Sequence, residues 1–451
     1  MLRLYDTATR EVRELALREP GSVSIYLCGP TVYGPPHIGH GRATLVYDVL
    51  RRYLQWSGLQ VRLVSNITDI DDSIINRANA ENRPWQEITS KCEAVWFEAM
   101  GKINVARPTD VPHATDYVVQ MVAMIGQLVD MGKAYLTDDG VYRSVQTVPG
   151  YGLLVHQSLA DMLAGGGDRE VVGAGNKRHP ADFVLWKFSK PGEPAWPSPW
   201  GEGRPGWHSE CVVMSLDLLG EGFDLHCGGQ DLKFPHHENE RAQAVALGKR
   251  FANHWMHHGF IVDAEGEKMS KSLGNVHNLL DLMEHYDPRA YRMLLLQSHY
   301  RGPVSVGQDN IDASVKALAR FDGVARRFGA VSADADAAVL EAFRSVMDDD
   351  LNTPSAMAIV FDAITQANAA ADAGDEGRAH QLVAAIYSIA DAVGLTFSAD
   401  EQVPAEAAAL AAALDAARAA KDFPAADALR AQLQAAGWTV ETTKAGTTLR
   451  R

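Results

Sequence analysis

Cysteine is scarce. Four residues, Cys28, Cys92, Cys211 and Cys227, are scattered over 451 positions. That is too few and too dispersed for a disulfide framework, which leaves free thiols or metal ligands as readings and suits a reducing compartment. Long apolar runs are missing as well, since no segment approaches the roughly 20 uninterrupted apolar residues a membrane helix requires. The stretch from Met1 to Arg13 mixes Arg3, Asp6, Arg10, Glu11 and Arg13 into its apolar residues, leaving no core for a secretory signal. A cytoplasmic protein without membrane contact is expected. Positive charge is in deficit: 42 Lys and Arg face 57 Asp and Glu, a formal net charge of -15. Phosphate affinity comes from Lys and Arg, so a broad, nonspecific grip on nucleic acid is excluded. Any RNA contact must be local, and the last ten residues, TTKAGTTLRR, carry Lys444, Arg450 and Arg451 with no acid.

What remains is a globular composition, 46% hydrophobic and 22% charged, in a chain long enough for about three domains. From Val23 the run VSIYLC reads as a buried strand, GPTVYGPPHIGHG as a Gly/Pro-rich turn, and RATLVYDVLRRYLQW as a helix. QVRLVSNI reads as a second strand, and the alternation points to a parallel α/β sheet. Between about 115 and 205 the pattern loosens into Gly-rich and Pro/Trp-rich stretches, read as an insertion and not as more sheet. Strand and helix alternation resumes in VVMSLDLLGEGFDLHCGGQD and in FPHHENERAQAVALG, where Pro235 suits a first helical turn. After about 310 the chain is helical and Ala-rich, Pro424 opens a helix that Gly437 closes, and WTVETTKAGTTLRR reads as β.

Two short pieces carry chemistry. His37-Ile38-Gly39-His40 stands between a strand and a helix, where N–H groups and the helix dipole favour phosphate and Gly39 leaves room for a nucleotide. By itself it is also compatible with a turn holding incidental histidines. Lys268-Met269-Ser270-Lys271-Ser272 puts two ammonium groups on a loop, suited to neutralising charge that builds on phosphate oxygens, although a solvated Lys/Ser loop has the same composition.

Together, in order, these are the HIGH and KMSKS signatures, and the chain resembles the class I aminoacyl-tRNA synthetases. The resemblance narrows to the cysteinyl-tRNA synthetases through LCGPTVYGPPHIGH, NITDIDD, GRPGWHSEC, DLHCGGQDLKFPHHENE and DLNTP, and spans nearly the whole chain. It implies a Rossmann-type parallel sheet split by an insertion, followed by a helical bundle and a small C-terminal α+β module. The corresponding division is a catalytic domain in two halves, 1–114 and 206–262, around a connective insertion, 115–205. A KMSKS linker at 263–310, a tRNA-binding bundle at 311–400 and an anticodon-binding module at 401–451 follow.

The resemblance also implies an active-site zinc on Cys28, Cys211, His236 and Glu240, and the local pattern is read as bringing the cysteines from strand ends. His236 and Glu240, four apart, share a helix face, while the residues alone leave His237 and Glu238 equally open. Thr68, Trp207, His226 and Asp231 map onto positions shaping the amino-acid and adenylate pocket; without the resemblance they read as core, buried histidine or helix cap. Gly228 and Gly229 are expected to let backbone approach the nucleotide. His37, His40, Lys268 and Lys271 fall on the catalytic positions. The implied substrates are ATP with magnesium, cysteine and tRNA(Cys), and the implied state is a monomer. Departures from the family pattern are Ser73, where Lys is usual, and Cys227, where Gly is common. The acidic run Asp69, Asp71 and Asp72 reads as a helix N-terminal cap in preference to a magnesium site. Two rivals share the core: a paralogous ligase that passes cysteine to an amino sugar, and a noncatalytic binding protein on a decayed synthetase. The C-terminal half, with DLNTPSAMAIVFDAI and Asp427–Arg430, speaks against the first, and the intact motifs against the second.

Overall fold

The computed structural model describes residues 2–164, 176–262, 278–398, 405–443 and 446–450. It falls into two compact units: residues 1–320 with 331–396, and residues 321–330 with 397–451.

The centre of the first unit is a four-stranded parallel sheet in the order His254–His258, Leu225–Gly229, Ser22–Leu27, Gln60–Ser65. Parallel strands are covered on both faces, so they read as near-continuous apolar runs, and Val23, Ile25, Tyr26 and Leu27 are buried accordingly. The strand Ser22–Leu27 feeds the helix Ile38–Trp56, which buries Leu45, Val46, Val49 and Leu50. The sheet is thus of the mixed α/β kind that the run of strands and helices implied.

The segment read as an insertion has a sheet of its own. Ala134–Leu136, Gly140–Arg143, Phe183–Phe188 and Gly203–Pro205 pair antiparallel in that order. Strands of three to six residues are too short to show a period against their Gly- and Pro-rich surroundings. The insertion is fastened to the parallel layer by Asp72, which receives Lys187 Nζ at 2.7 Å and the buried guanidinium of Arg204. The acidic run is consumed locally: Asp71 caps the helix Asp72–Glu81 through Ser73 N–H, and Asp69 accepts from Thr115 Oγ1 at 2.6 Å.

Helices Ala337–Met347, Thr353–Asp372 and Glu376–Ala392 pack together as a bundle in the first unit. The second unit pairs Ala405–Ala419 with Phe423–Ala435 beside an antiparallel hairpin, Thr439–Thr443 with Gly446–Arg450. Pro424 lies in the first turn of its helix and Gly437 adopts φ 86° just past its end, as their chemistry requires. No helix among the described residues is long and apolar enough to cross a membrane.

Candidate active site and metal centre

A cleft of ≈ 380 Å³ opens at the carboxyl ends of the parallel strands, where open α/β sheets bind ligands. Cys28 and Gly29 follow one strand, Gly229 ends the next, His258 ends the third, and His37, Gly39, His40, Trp207 and Asp231 complete the lining. A second cavity, ≈ 330 Å³, shares Leu27, Pro30, Thr44, Ser65 and Trp96 with it but contains none of the histidines or metal donors discussed below.

The HIGH residues open their helix in a reciprocal cap. His37 Nδ1 accepts from His40 N–H at 3.2 Å, His40 Nδ1 accepts from His37 N–H at 3.3 Å, and the rings stack at 3.5 Å. A neutral ring whose Nδ1 accepts carries its proton on Nε2. Both imidazoles are thereby set as Nε2–H donors beside a helix N-terminus, and the Trp96 and His40 rings meet edge to face with centroids 5.2 Å apart. Gly41 permits the close approach of Leu279 and Tyr291, whose atoms would lie 3.0 Å from a β-carbon there. Arg42, buried, donates to the carbonyls of Phe260, Tyr300 and Gly302 at 2.6, 2.9 and 2.5 Å, and burial brings its guanidinium down to about 10.

Lys268 and Lys271 lie outside the described residues. Of the residues flanking their segment, Phe260 and Ile261 line this cleft, and Leu279 N–H donates to Pro36 O, next to the lining residue His37, at 3.0 Å.

Beneath the cleft lies a buried donor cluster. Single ligand atoms of Cys28, Cys211, His236 and Glu240 all lie within 4.8 Å of one another. Sγ of Cys28 is 3.7 Å from Sγ of Cys211, which is 3.6 Å from His236 Nε2, and Glu240 Oε1 is 3.4 Å from Cys28 Sγ. Donors around one tetrahedral zinc stand roughly 3.3–3.8 Å apart, so these separations and this S, N and O donor set fit that ion. The His236–Glu240 pair is closer, at 2.8 Å, joined one helical turn apart. Electrostatics agree with a cation-seeking site. Burial opposes ionisation of Glu240, yet His226 and His236 hold its carboxyl well below the usual range. Burial likewise opposes the Cys211 thiolate, yet its hydrogen bond with Cys28 and the neighbouring His236 bring it down to about 6. His236, against the same desolvation, is pushed up to about 10 by Glu240 and Cys211. Burial and the neighbouring Cys211 hold the Cys28 thiol up. Proton and charge are shared where an ion would replace the proton.

Two expectations about this cluster need correction. Cys211 comes from the helix Trp207–Leu219, not from a strand end. Pro235 sits in an irregular turn, Lys233–His237, ahead of the helix Glu238–Ala246, so His236 belongs to that turn and Glu240 to the helix. The kink keeps the pair in register and buries His236 beneath Trp207, whose ring stacks on it at 3.9 Å while remaining 39% exposed to the cleft.

The remaining pocket residues divide. Trp207, Gly229 and Asp231 line the cleft. Thr68 is buried beside it, donating to Glu210 Oε2 at 2.6 Å and accepting from Asn66 Nδ2 at 3.3 Å. Gly228 makes room for His237, whose ring would lie 2.8 Å from a β-carbon. His226 is fully buried, stacked on Tyr26 at 5.5 Å, with Nε2 2.8 Å from Glu240 Oε2. Cys227 is fully buried, and burial alone pushes its thiol up, so it is an inert neighbour. Sequence reasoning left His237 open as an alternative and missed His257: His237 Nε2 is 3.3 Å from Cys28 Sγ, its Nδ1 is 2.8 Å from His257 Nε2, and His257 Nδ1 is 2.8 Å from Thr7 Oγ1. Only the doubled histidine in FPHHENE hinted at this.

Comparisons with known proteins bear on this geometry. The model of the class I (C) tRNA synthetase catalytic domain matches residues 14–316, and that of the DALR domain matches 342–398. A cysteine–tRNA ligase of Halorhodospira halophila is 42% identical over 462 aligned residues, covering 100% of both chains, and one of Methylobacillus flagellatus is 43% identical over 465, again 100% of both. Among solved structures, the Mycobacterium tuberculosis methionyl-tRNA synthetase in complex with methionyl-adenylate superposes with a TM-score of 0.58 at 16% identity, covering 82% of this chain and 89% of that one, which is a likeness of fold. With the HIGH cap, the KMSKS sequence and full-length relatives of one kind, this chain belongs to the cysteine–tRNA ligase family of class I aminoacyl-tRNA synthetases.

Proposed function

We propose that the chain activates cysteine with ATP to cysteinyl-adenylate and pyrophosphate, passes the cysteinyl group to the terminal adenosine of tRNA(Cys), and selects cysteine through zinc held by Cys28, Cys211, His236 and Glu240. The observation that carries this reading is the buried donor quartet at the floor of the cleft. Cysteine and serine differ by one atom, and pocket shape discriminates such near-isosteres weakly. Zinc on these donors supplies one property, a preference for thiolate over alcohol.

The rest of the reaction falls to side chains of this chain. His37 and His40, each with Nδ1 committed to the helix cap, offer Nε2–H to phosphate oxygens. Lys268 and Lys271 add positive charge where it develops, and magnesium accompanies ATP. Trp207 and Asp231, lining the cleft beside the quartet, shape the amino-acid end; Gly229 lets the nucleotide approach. Thr68 and His226 support that end from behind, through Glu210 and Glu240. No side chain is needed as a nucleophile, so positioning and electrostatics carry the rate. The test is pyrophosphate exchange with cysteine and with serine, followed by charging of tRNA set against amino-sugar acceptors. Exchange with cysteine alone and transfer to tRNA support the reading; equal exchange with serine, or transfer only to a sugar, overturns it.

A further inference from the structure

The donor cluster contains more ligands than one tetrahedral ion uses. A second quartet, Cys28, His226, His237 and Glu240, also has its ligand atoms within 4.8 Å of one another. We infer that this chain has an inner position for one divalent ion on these four residues, overlapping the outer position through Cys28 and Glu240. The inference rests on the outer quartet being a metal site.

The geometry is specific. Cys28 Sγ lies 3.6 Å from His226 Nε2 and 3.3 Å from His237 Nε2, separations of the same size as those in the outer set. Glu240 faces both ways, with Oε1 towards His236 and Cys28 and Oε2 towards His226 at 2.8 Å. Oε2 is buried, and the group it meets at 2.8 Å, His226 Nε2, belongs to the same set. A metal-binding histidine normally has its second nitrogen held by another group. His237 meets that condition through His257 and Thr7, just as His236 does through His208 Nδ1 at 2.9 Å. His226 is held instead by rings, Tyr26 on one face and the edges of His237 and Trp255 around it.

The charges differ between the positions. With an ion in place of the thiol protons, the outer quartet would present two thiolates and a carboxylate, the inner one thiolate and one carboxylate. The inner set therefore balances a dication, and a buried charge is costly unless balanced. Two dications sharing both bridging donors would repel in this setting, so the positions are alternatives for a single ion. The one-sulfur, two-nitrogen, one-oxygen set suits zinc or cobalt(II).

The test uses cobalt(II) on the full-length protein, because thiolate-to-cobalt absorption counts sulfur ligands without reference to activity. Wild type should bind one cobalt with a two-thiolate spectrum. The pair Cys211→Ser and His236→Ala, which removes only outer ligands, should still bind one cobalt, with that absorption reduced to about half as one thiolate remains. The pair His226→Gln and His237→Gln should keep the two-thiolate spectrum. Circular dichroism checks the fold, with Cys211→Val and His236→Leu substituted if the first pair does not fold. A folded outer-ligand variant that takes up no cobalt, beside a wild type that does, overturns the inner position and leaves the proposed function standing. A wild type that takes up none removes both.

Discussion

Cys28 shares with Glu240 a place in both donor quartets, and of the two it is the one that lines the cleft, where a strand gives way to it. Cys28→Ser is expected to reduce zinc in the purified protein to about a tenth or less of one equivalent, thiolate being the far better ligand, as metal analysis would show. Full retention of zinc would contradict the role. Lys271→Ala is expected to slow adenylate formation by about a hundredfold with little change in cysteine affinity, since its charge matters mainly in the transition state. Single-turnover kinetics beside cysteine binding separates the two, and a collapse of affinity with an unchanged chemical step would refute it. A third residue-scale outcome concerns the buried rings of His254 and His258, each brought down to about 4 by burial. Folded, they titrate near 4; unfolded, near 6.5, so between these values the unfolded chain binds more protons. Stability is complete above about pH 6.5 and is lost as pH falls towards 4, by about 3 kcal/mol for each ring at most. Urea midpoints that stay flat between pH 6.5 and 4.5 would show that the rings are not held neutral. Donor identity at this scale was legible only in part. His236 and His237 are adjacent and identical in the sequence, and what separates them is the irregular turn Lys233–His237 that aims one ring at Cys211 and the other at Cys28.

At the scale of elements, the helix Ile38–Trp56 is the hub. Its first residues line the cleft, Arg42 holds the strand exit at Phe260, and Asp48 receives Arg292 Nη2 at 2.7 Å with both side chains buried. Arg292 also reaches the carbonyls of Ile103 and Val393, so this one contact joins the helix to the bundle. Removing one partner of a buried ion pair leaves the other uncompensated, so Asp48→Ala is expected to cost about 3–5 kcal/mol in urea denaturation. A change under about 1 kcal/mol would mean that Arg292 finds other compensation. The hub and its flanking strands were readable because a 19-residue helix and two-sided apolar strands impose clear periods. The antiparallel sheet of the insertion was not, because its strands are short and its apolar residues serve a core shared with the helix Val118–Asp130. Cys211, expected at a strand end, lies instead on the helix that starts at Trp207, directly after the three-residue strand Gly203–Pro205, which is too short to show a period.

At the scale of the molecule, function is divided unequally along the chain. The motif residues end by Ser272, whereas Lys444, Arg450 and Arg451 concentrate positive charge at the far end of a chain whose formal charge is -15. Truncation after about residue 400 is therefore expected to spare pyrophosphate exchange and severely weaken tRNA charging, with the salt slope of tRNA binding reduced by about three phosphate contacts. Both activities measured on one preparation, with circular dichroism to verify folding, decide it; full charging by the folded truncation would exclude the tail from tRNA recognition.

The donor cluster also acts on chain topology. Cys28 and Cys211 are 183 residues apart, with the whole insertion between them, and an ion held by both is a cross-link that closes that loop. Loop-closure entropy grows only with the logarithm of length, about 0.6 kcal/mol for each doubling. Lengthening or trimming the insertion would therefore hardly alter the grip on such an ion, which would clasp the first and second halves of the parallel sheet together in the folded chain.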